Sequence, residues 1–170
     1  KNMEMANFLG ICYCELGDFQ KGLVIFNEIA SQDNPKYAED VVKAKENIKL
    51  YTNNRIAKLQ GENDFDGIIA VADEMLAVNP QDALAQKIRL QALFDKKDYA
   101  GVIASAEEAA AGQTDEEERS DVYFILGAAY NARTMPQQAI DALSKVTAGA
   151  NVAAAQKTVA QLKENAAKAN

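Results

Sequence analysis

An aspartate followed by an aromatic residue occurs three times along the chain, each time just before an apolar stretch with helical spacing. The pairs are Asp18-Phe19, Asp64-Phe65 and Asp98-Tyr99. The residues Gly22, Ile68, Val102 and Ala139 occupy equivalent places and are separated by 46, 34 and 37 residues. One interval is 34 residues, and the other two exceed it by 12 and 3 residues. This indicates a repeated unit of 34 residues with insertions. The chain is therefore restricted to an array of similar elements that stack on one another.

The segments between these positions have the spacing and the end signals of α-helices. Apolar residues recur every three or four positions, and no alternating strand pattern competes with them. The predicted helices span 3–16, 19–32, 36–62, 64–78, 82–95, 98–111, 116–132, 136–147 and 151–168. The prolines lie at segment edges, and Thr114 with Glu117 forms a predicted capping box. Because the connections are short, neighbouring helices are expected to form antiparallel hairpins.

This pattern resembles the tetratricopeptide repeat family, whose unit is a helix-turn-helix of 34 residues. In the first unit the positions that match the family's Leu-Gly, Tyr and aromatic places are Leu9, Gly10, Tyr13 and Phe19. In the last unit the matching positions are Tyr123, Leu126, Gly127, Tyr130 and Ala139. The middle units keep only Phe65, Pro80 and Tyr99 of this signature. The resemblance implies an all-α, right-handed superhelical solenoid of antiparallel helix hairpins.

The resemblance also implies one domain over residues 1–170, with about four repeats and a C-terminal capping helix. The repeats are expected at about 3–34, 36–80, 81–114 and 115–150, and the capping helix at 151–168. The 12-residue excess falls within 36–62, which is predicted to be one helix about three turns too long or two helices broken near Asn53-Asn54. These extra turns are either a harmless extension or a protrusion that contacts a partner or a second copy.

Nothing in the sequence favours catalysis. The chain has no histidine, no pairing of a nucleophile with a base, and no glycine loop of the phosphate-binding types. On a helix, Cys12 and Cys14 would point about 200° apart, so they cannot form a disulfide bond with each other. Both are expected to be half-buried apolar side chains. We therefore expect no enzyme activity, no cofactor, and no catalytic, cofactor-binding or metal-ligating residues.

The net charge of −7 is unevenly distributed, because residues 61–122 carry 5 basic and 15 acidic side chains, a net charge of −10. Such a segment repels nucleic acid and anionic lipid. No apolar window approaches the length of a membrane helix. We therefore expect neither nucleic acid binding nor membrane insertion. The chain begins at Lys1 and reads as a fragment of a longer protein that lacks its N-terminus, and its cellular location is not predicted.

By resemblance, the chain is expected to be a non-catalytic scaffold that binds a peptide or a partner protein in a concave groove lined by the first helix of each repeat. The groove candidates are Asn7, Ile11, Asn53, Lys87, Gln91, Phe94, Phe124, Ala128 and Asn131. Phe94 and Phe124 are the expected anchors, since aromatic residues dominate binding hot spots, although core packing would also explain them. The alternatives are self-association as a homo-oligomer and a role as the regulatory domain of a larger protein.

Overall fold

The computed structural model describes residues 2–169, and all the regular structure within them is helical. The α-helices are α1 (Met3–Glu15), α2 (Phe19–Ala30), α3 (Ala38–Gly61), α4 (Phe65–Val78), α5 (Ala83–Asp95), α6 (Tyr99–Gly112), α7 (Glu116–Ala132), α8 (Pro136–Leu143) and α9 (Val152–Lys168). A 3₁₀ turn at Pro35–Tyr37 precedes α3. Lys1 and Asn170, the two ends of the predicted domain, lie outside the described residues. The predicted all-α class is confirmed.

The chain divides into two compact units, unit 1 (Lys1–Asp82) and unit 2 (Ala83–Asn170). In unit 1, α1 packs on α2, α2 on α3 and α3 on α4, while α1 also packs on α3 and α2 on α4. In unit 2, α5 packs on α6, α6 on α7, α7 on α8 and α8 on α9, while α5 also packs on α7. Consecutive helices are therefore packing neighbours within each unit.

The two helices of every predicted repeat are joined by the same three-residue turn. The middle residues of the four turns have positive φ values: Gly17 (86°), Asn63 (53°), Lys97 (65°) and Thr134 (60°). In each copy the N–H of this residue donates to the carbonyl three positions earlier, and the next N–H donates to the carbonyl five positions earlier. These residues are separated by 46, 34 and 37 positions. The intervals that separate the repeated residues in the sequence therefore also separate the positive-φ residues of the four turns.

The residue after each left-handed residue is the N-cap of the second helix. The side chains of Asp18, Asp64 and Asp98 accept hydrogen bonds from the backbone N–H groups of Lys21, Gly67 and Gly101 at 3.2, 2.8 and 2.9 Å. Each aspartate satisfies one of the N–H groups that a helix start leaves unpaired. In the fourth turn Met135 makes no such bond, and Pro136 begins α8. The Asp-aromatic pairs therefore mark helix starts.

Glycine allows the two helices of the first and last hairpins to meet closely. A methyl group at Gly127 in α7 would stand 2.5 Å from Leu143 Cγ in α8, and one at Gly10 in α1 would meet the Phe26 ring in α2. Any larger side chain at these places would push the helices apart. The glycines of the two Leu-Gly pairs are therefore contact points between paired helices.

The region with the 12-residue excess is one unbroken helix, α3, of 24 residues. Asn53 and Asn54 lie inside it, and the Asn34 side chain caps the 3₁₀ turn rather than the helix. The additional length belongs partly to the core of unit 1, where Ala44 is fully buried. The partly buried residues Tyr37, Ile48 and Tyr51 pack against the same cluster as Phe26.

Two predicted helix ends are wrong. Asp115, not Thr114, caps α7, because its carboxylate accepts the N–H of Glu118 at 3.1 Å. α8 ends at Leu143 rather than at 147. There the Ser120 hydroxyl, from α7, accepts the N–H groups of Thr147 and Ala148, both at 3.1 Å. These two amides therefore have partners outside a helix, and the chain leaves the helical path.

Candidate protein-binding surface

In unit 2, an ion-pair network joins α5 and α7 and includes one predicted groove residue, Lys87. Its ammonium group contacts the Glu118 carboxylate and lies 2.7 Å from Asp121 Oδ2. Asn151, the N-cap of α9, donates from Nδ2 to the other oxygen of Asp121 at 2.9 Å. The network therefore fixes the exposed side of α7 relative to α5 and to the start of α9.

Lys87 carries a full positive charge, which the carboxylates of Glu118 and Asp121 neutralise. Burial lowers the pKa of Lys87, yet the hydrogen bonds from its ammonium to Asp121 and Glu118 outweigh burial and hold the pKa above its ordinary value of 10.5. The Lys87 side chain is 25% exposed, against 32% for Asp121 and 49% for Glu118. The carboxylates are thus the more accessible charges, and the trio carries a net charge of −1.

Helical spacing places the remaining candidates of unit 2 on the same sides of α5 and α7. Gln91 follows Lys87 by one turn, and Ala128 and Asn131 follow Asp121 by two and three turns. Gln91 is exposed and donates from Nε2 to Asp95 at 2.9 Å. Asn131 is also exposed, while Ala128 is partly buried. The exposed Glu117 precedes Asp121 by one turn of α7 and lies on the same side. We call this set the α5/α7 surface: Lys87, Gln91, Asp95, Glu117, Glu118, Asp121, Ala128 and Asn131.

The two candidate aromatic anchors are half-buried and have packing roles. The Phe94 ring meets the Tyr99 ring edge-on, with centroids 5.5 Å apart and planes at 60°. Phe124 packs against the cluster of Leu143, Val146 and Ala155, which holds α8 and α9 to α7. Each ring therefore supports the core of unit 2 and presents only part of its surface to a ligand.

In unit 1, α1 directs two of its predicted groove residues, Asn7 and Ile11, towards the core rather than towards a groove. Asn7 is only 5% exposed, and its Nδ2 donates to the Asp40 carbonyl of α3 at 3.1 Å. Its Oδ1 is buried and accepts no hydrogen bond from a described residue. Ile11 packs against the cluster that contains Phe26. Of the unit 1 candidates, only Asn53 is exposed.

Phe8, which was not predicted, is the aromatic residue that α1 exposes, at 63%. A signal for this existed in the sequence. Met3, Asn7, Gly10 and Cys14 follow a helical spacing of four, three and four residues. Because Gly10 must face α2, Asn7 shares the packed side of α1, and Phe8 must then point away from it.

Among residues 2–169, no three Cys, Asp or Glu side chains are grouped so that they could hold a metal ion. Cys14 packs against the core of unit 1, and burial, followed by the charge of Glu15, raises the pKa of its thiol to about 11. At neutral pH this thiol is protonated and a poor nucleophile. In the same part of the chain, no helix is both long and apolar enough to cross a lipid bilayer.

Sequence comparison identifies no relative. No protein-family model matches the chain, and no curated protein matches it significantly.

Proposed function

We propose that this chain is a non-catalytic protein-interaction module built of tetratricopeptide-like hairpins. The observation that supports the repeat is the turn that recurs at Gly17, Asn63, Lys97 and Thr134 with the same backbone hydrogen bonds. The proposal includes the right-handed superhelical solenoid with a capping helix that the resemblance implies.

We further propose that the α5/α7 surface binds a positively charged segment of a partner protein. The surface carries four carboxylates, Asp95, Glu117, Glu118 and Asp121, against the single ammonium group of Lys87. Two of the carboxylates already neutralise that ammonium group, so the accessible charge is negative. Complementary charge steers a basic partner towards such a surface and repels an acidic one. The exposed parts of Phe94 and Phe124 would add apolar contact.

Peptide selection tests this proposal directly. A random peptide library displayed on phage is selected on the immobilised protein, and the enriched peptides are synthesised. Their affinities are then measured by calorimetry for the wild type and for Gln91→Lys. We expect enrichment of lysine and arginine, and an affinity for Gln91→Lys that is weaker by about five-fold, close to 1 kcal/mol. The affinity should fall as salt rises above about 0.1 M, because salt screens exposed charges.

Gln137 provides a matched control. Like Gln91, it is exposed on a helix of unit 2 and donates from Nε2 to an aspartate four residues later, Asp141, at 3.0 Å. Gln137→Lys therefore makes the same charge change with the same local bond, but on α8. We expect it to leave affinity unchanged. Enrichment of acidic peptides, or equal effects of the two substitutions, would contradict binding at the α5/α7 surface.

A further inference from the structure

The ammonium group of Lys87 lies where two carboxylates of α7 converge. It contacts Glu118 Oε2 and lies 2.7 Å from Asp121 Oδ2. Glu118 and Asp121 are three residues apart on α7, which places both carboxylates on one face of the helix. Lys87 reaches them from α5, 31 and 34 positions earlier in the sequence. The α5/α7 surface therefore already holds one cation, and that cation belongs to the chain itself.

This ion pair is accessible enough to exchange with a cation from outside. The Lys87 side chain is 25% exposed, and those of Asp121 and Glu118 are 32% and 49% exposed. Ion pairs in contact with water contribute little to stability. An ammonium group that replaced Lys87 would make equivalent hydrogen bonds, and the released Lys87 would regain its hydration. The exchange of one lysine for another is therefore close to balanced in free energy.

Lys87 and a ligand cation compete for these two carboxylates. Both oxygens of Asp121 have partners, since Oδ2 accepts a hydrogen bond from Lys87 and Oδ1 accepts one from Asn151 Nδ2 at 2.9 Å. A second ammonium group at the same position would meet the positive charge of Lys87, and like charges in contact repel each other. The carboxylate pair is therefore open to a ligand only in those molecules in which Lys87 has moved away.

We propose that Lys87 is an internal competitor that sets the affinity of the α5/α7 surface, because it occupies the position that a lysine of the partner would take. This role rests on the proposed function for its site, and it adds the chemistry of one ligand group, a primary ammonium between Glu118 and Asp121. When only a fraction of a protein is competent to bind, its apparent affinity is lowered by that fraction. Removing the charge of Lys87 should therefore strengthen binding.

A lysine peptide tests this role without the peptide library. Pentalysine, acetylated and amidated at its ends, is titrated into isotope-labelled protein, and the amide shifts of α5 and α7 in NMR spectra give the dissociation constant and the location of binding. For Lys87→Met we expect a dissociation constant about ten-fold lower than for the wild type, the effect of releasing a hydrogen bond between charged groups. The salt concentration is kept at about 0.02 M, where exposed charges are weakly screened.

Two further variants separate competition from a structural role. Lys87→Arg keeps the positive charge, so it should bind pentalysine as the wild type does. The double variant Lys87→Met, Asp121→Asn removes one of the released carboxylates and should lose the gain. Urea denaturation should show that Lys87→Met is less stable than the wild type, because two neighbouring carboxylates lose their counter-charge. A residue that only held α5 to α7 would lower stability and affinity together, whereas a competitor lowers the first and raises the second.

Lys145 is the matched control for the change in net charge. Its ammonium lies 3.4 Å from Glu107 Oε1 and 4.6 Å from the centre of the Tyr123 ring. Tyr123 points about 200° away from Asp121 around α7, so Lys145 lies on the other side of that helix. Lys145→Met should therefore change the dissociation constant by less than about two-fold. An equal gain for Lys145→Met, no gain for Lys87→Met, or no binding of pentalysine to any variant would overturn the competitor role.

The competitor role and the proposed function can fail separately. If the library enriches basic peptides but Lys87→Met gains no affinity for pentalysine, only the competitor role is overturned. If Lys87→Met gains affinity but the library enriches no basic peptides, the proposed function is overturned and the competition between Lys87 and an external ammonium group is supported.

Discussion

The ring of Phe26 lies over Gly10, so that a methyl group at Gly10 would stand 2.5 Å from Phe26 Cε1. Phe26 is fully buried and stacks on Tyr51, with ring centroids 6.3 Å apart, so the ring has no free space to enter. We expect Gly10→Ala to lower the free energy of unfolding by about 2 kcal/mol, the usual cost of overpacking. Urea denaturation of the wild type and of Gly10→Ala measures this difference in the free energy of unfolding.

Gly61 provides the control for this prediction. It is the last residue of α3, and a methyl group there would meet nothing within 4 Å. Gly61→Ala should raise the free energy of unfolding by about 0.5–1 kcal/mol, because alanine loses less backbone entropy than glycine in a helix. Equal effects of the two substitutions would show that Gly10 is not a contact point between α1 and α2.

The left-handed turn residue is strained in the fourth hairpin. Thr134 is β-branched and has a φ of 60°, a conformation that glycine adopts without steric cost. We expect Thr134→Gly to raise the free energy of unfolding by about 1 kcal/mol. Gly17→Ala at the equivalent place should lower it by a similar amount, although no atom lies within 4 Å of the added methyl group. Urea midpoints that move in the same direction would disprove the common turn geometry as the cause.

The missing N-cap of α8 can be restored. Met135 occupies the place of Asp18, Asp64 and Asp98 but offers no side-chain acceptor. Met135→Asp should therefore stabilise the protein by about 1 kcal/mol, and Asp64→Ala should destabilise it by about as much. Thermal unfolding of both variants beside the wild type measures the two shifts. A lower melting temperature for Met135→Asp would mean that the Met135 side chain contributes more through packing than a cap would.

Alkaline pH should weaken the contact between α1 and α3. Tyr51 Oη donates to Glu15 Oε1 at 2.6 Å, and this bond, followed by burial, raises the pKa of Tyr51 from 10.0 to about 12. A raised folded-state pKa means that the contribution to stability is complete below pH 10 and is lost as pH rises towards 12. The difference in unfolding free energy between the wild type and Tyr51→Phe should be constant below pH 10 and shrink above it. A constant difference up to pH 12 would contradict the assignment.

The two cysteines should react at different rates. The reactive form of a thiol is the thiolate, and burial raises the pKa of Cys14 to about 11. With iodoacetamide at about pH 8, we expect Cys12→Ser, which keeps only Cys14, to be alkylated about ten-fold more slowly than Cys14→Ser. Mass spectrometry follows the reaction, and in denaturant the two rates should become equal. Equal rates in the folded protein would mean that Cys14 is not protected by its surroundings.

Local signals explain why the helices were predictable from sequence. The Asp caps, the prolines and the three-residue turns are decided by neighbouring residues, and they place most helix ends within two residues. α8 is the exception because its end depends on Ser120, which is 27 residues away from Thr147. A contact over such a distance leaves no periodic signal in the sequence.

The binding candidates were harder to predict because exposure depends on which neighbour covers each helix face. The resemblance to the repeat family predicts Asn7 in the groove, but α3 covers that side of α1 and buries it. In the same way, Lys87 is predicted from the sequence only as a groove residue, whereas the structure places two carboxylates of α7 against its ammonium group. The sign of the accessible charge was therefore decided by tertiary contacts.

Packing between consecutive helices also bears on how this chain reaches its fold. Because each helix of a unit meets the next one along the sequence, most of the loops that the chain closes are short, and short loops cost little entropy to close. Helical proteins dominated by such local contacts fold in about microseconds to milliseconds. During synthesis, the α1 and α2 hairpin can form while the later hairpins are still being translated.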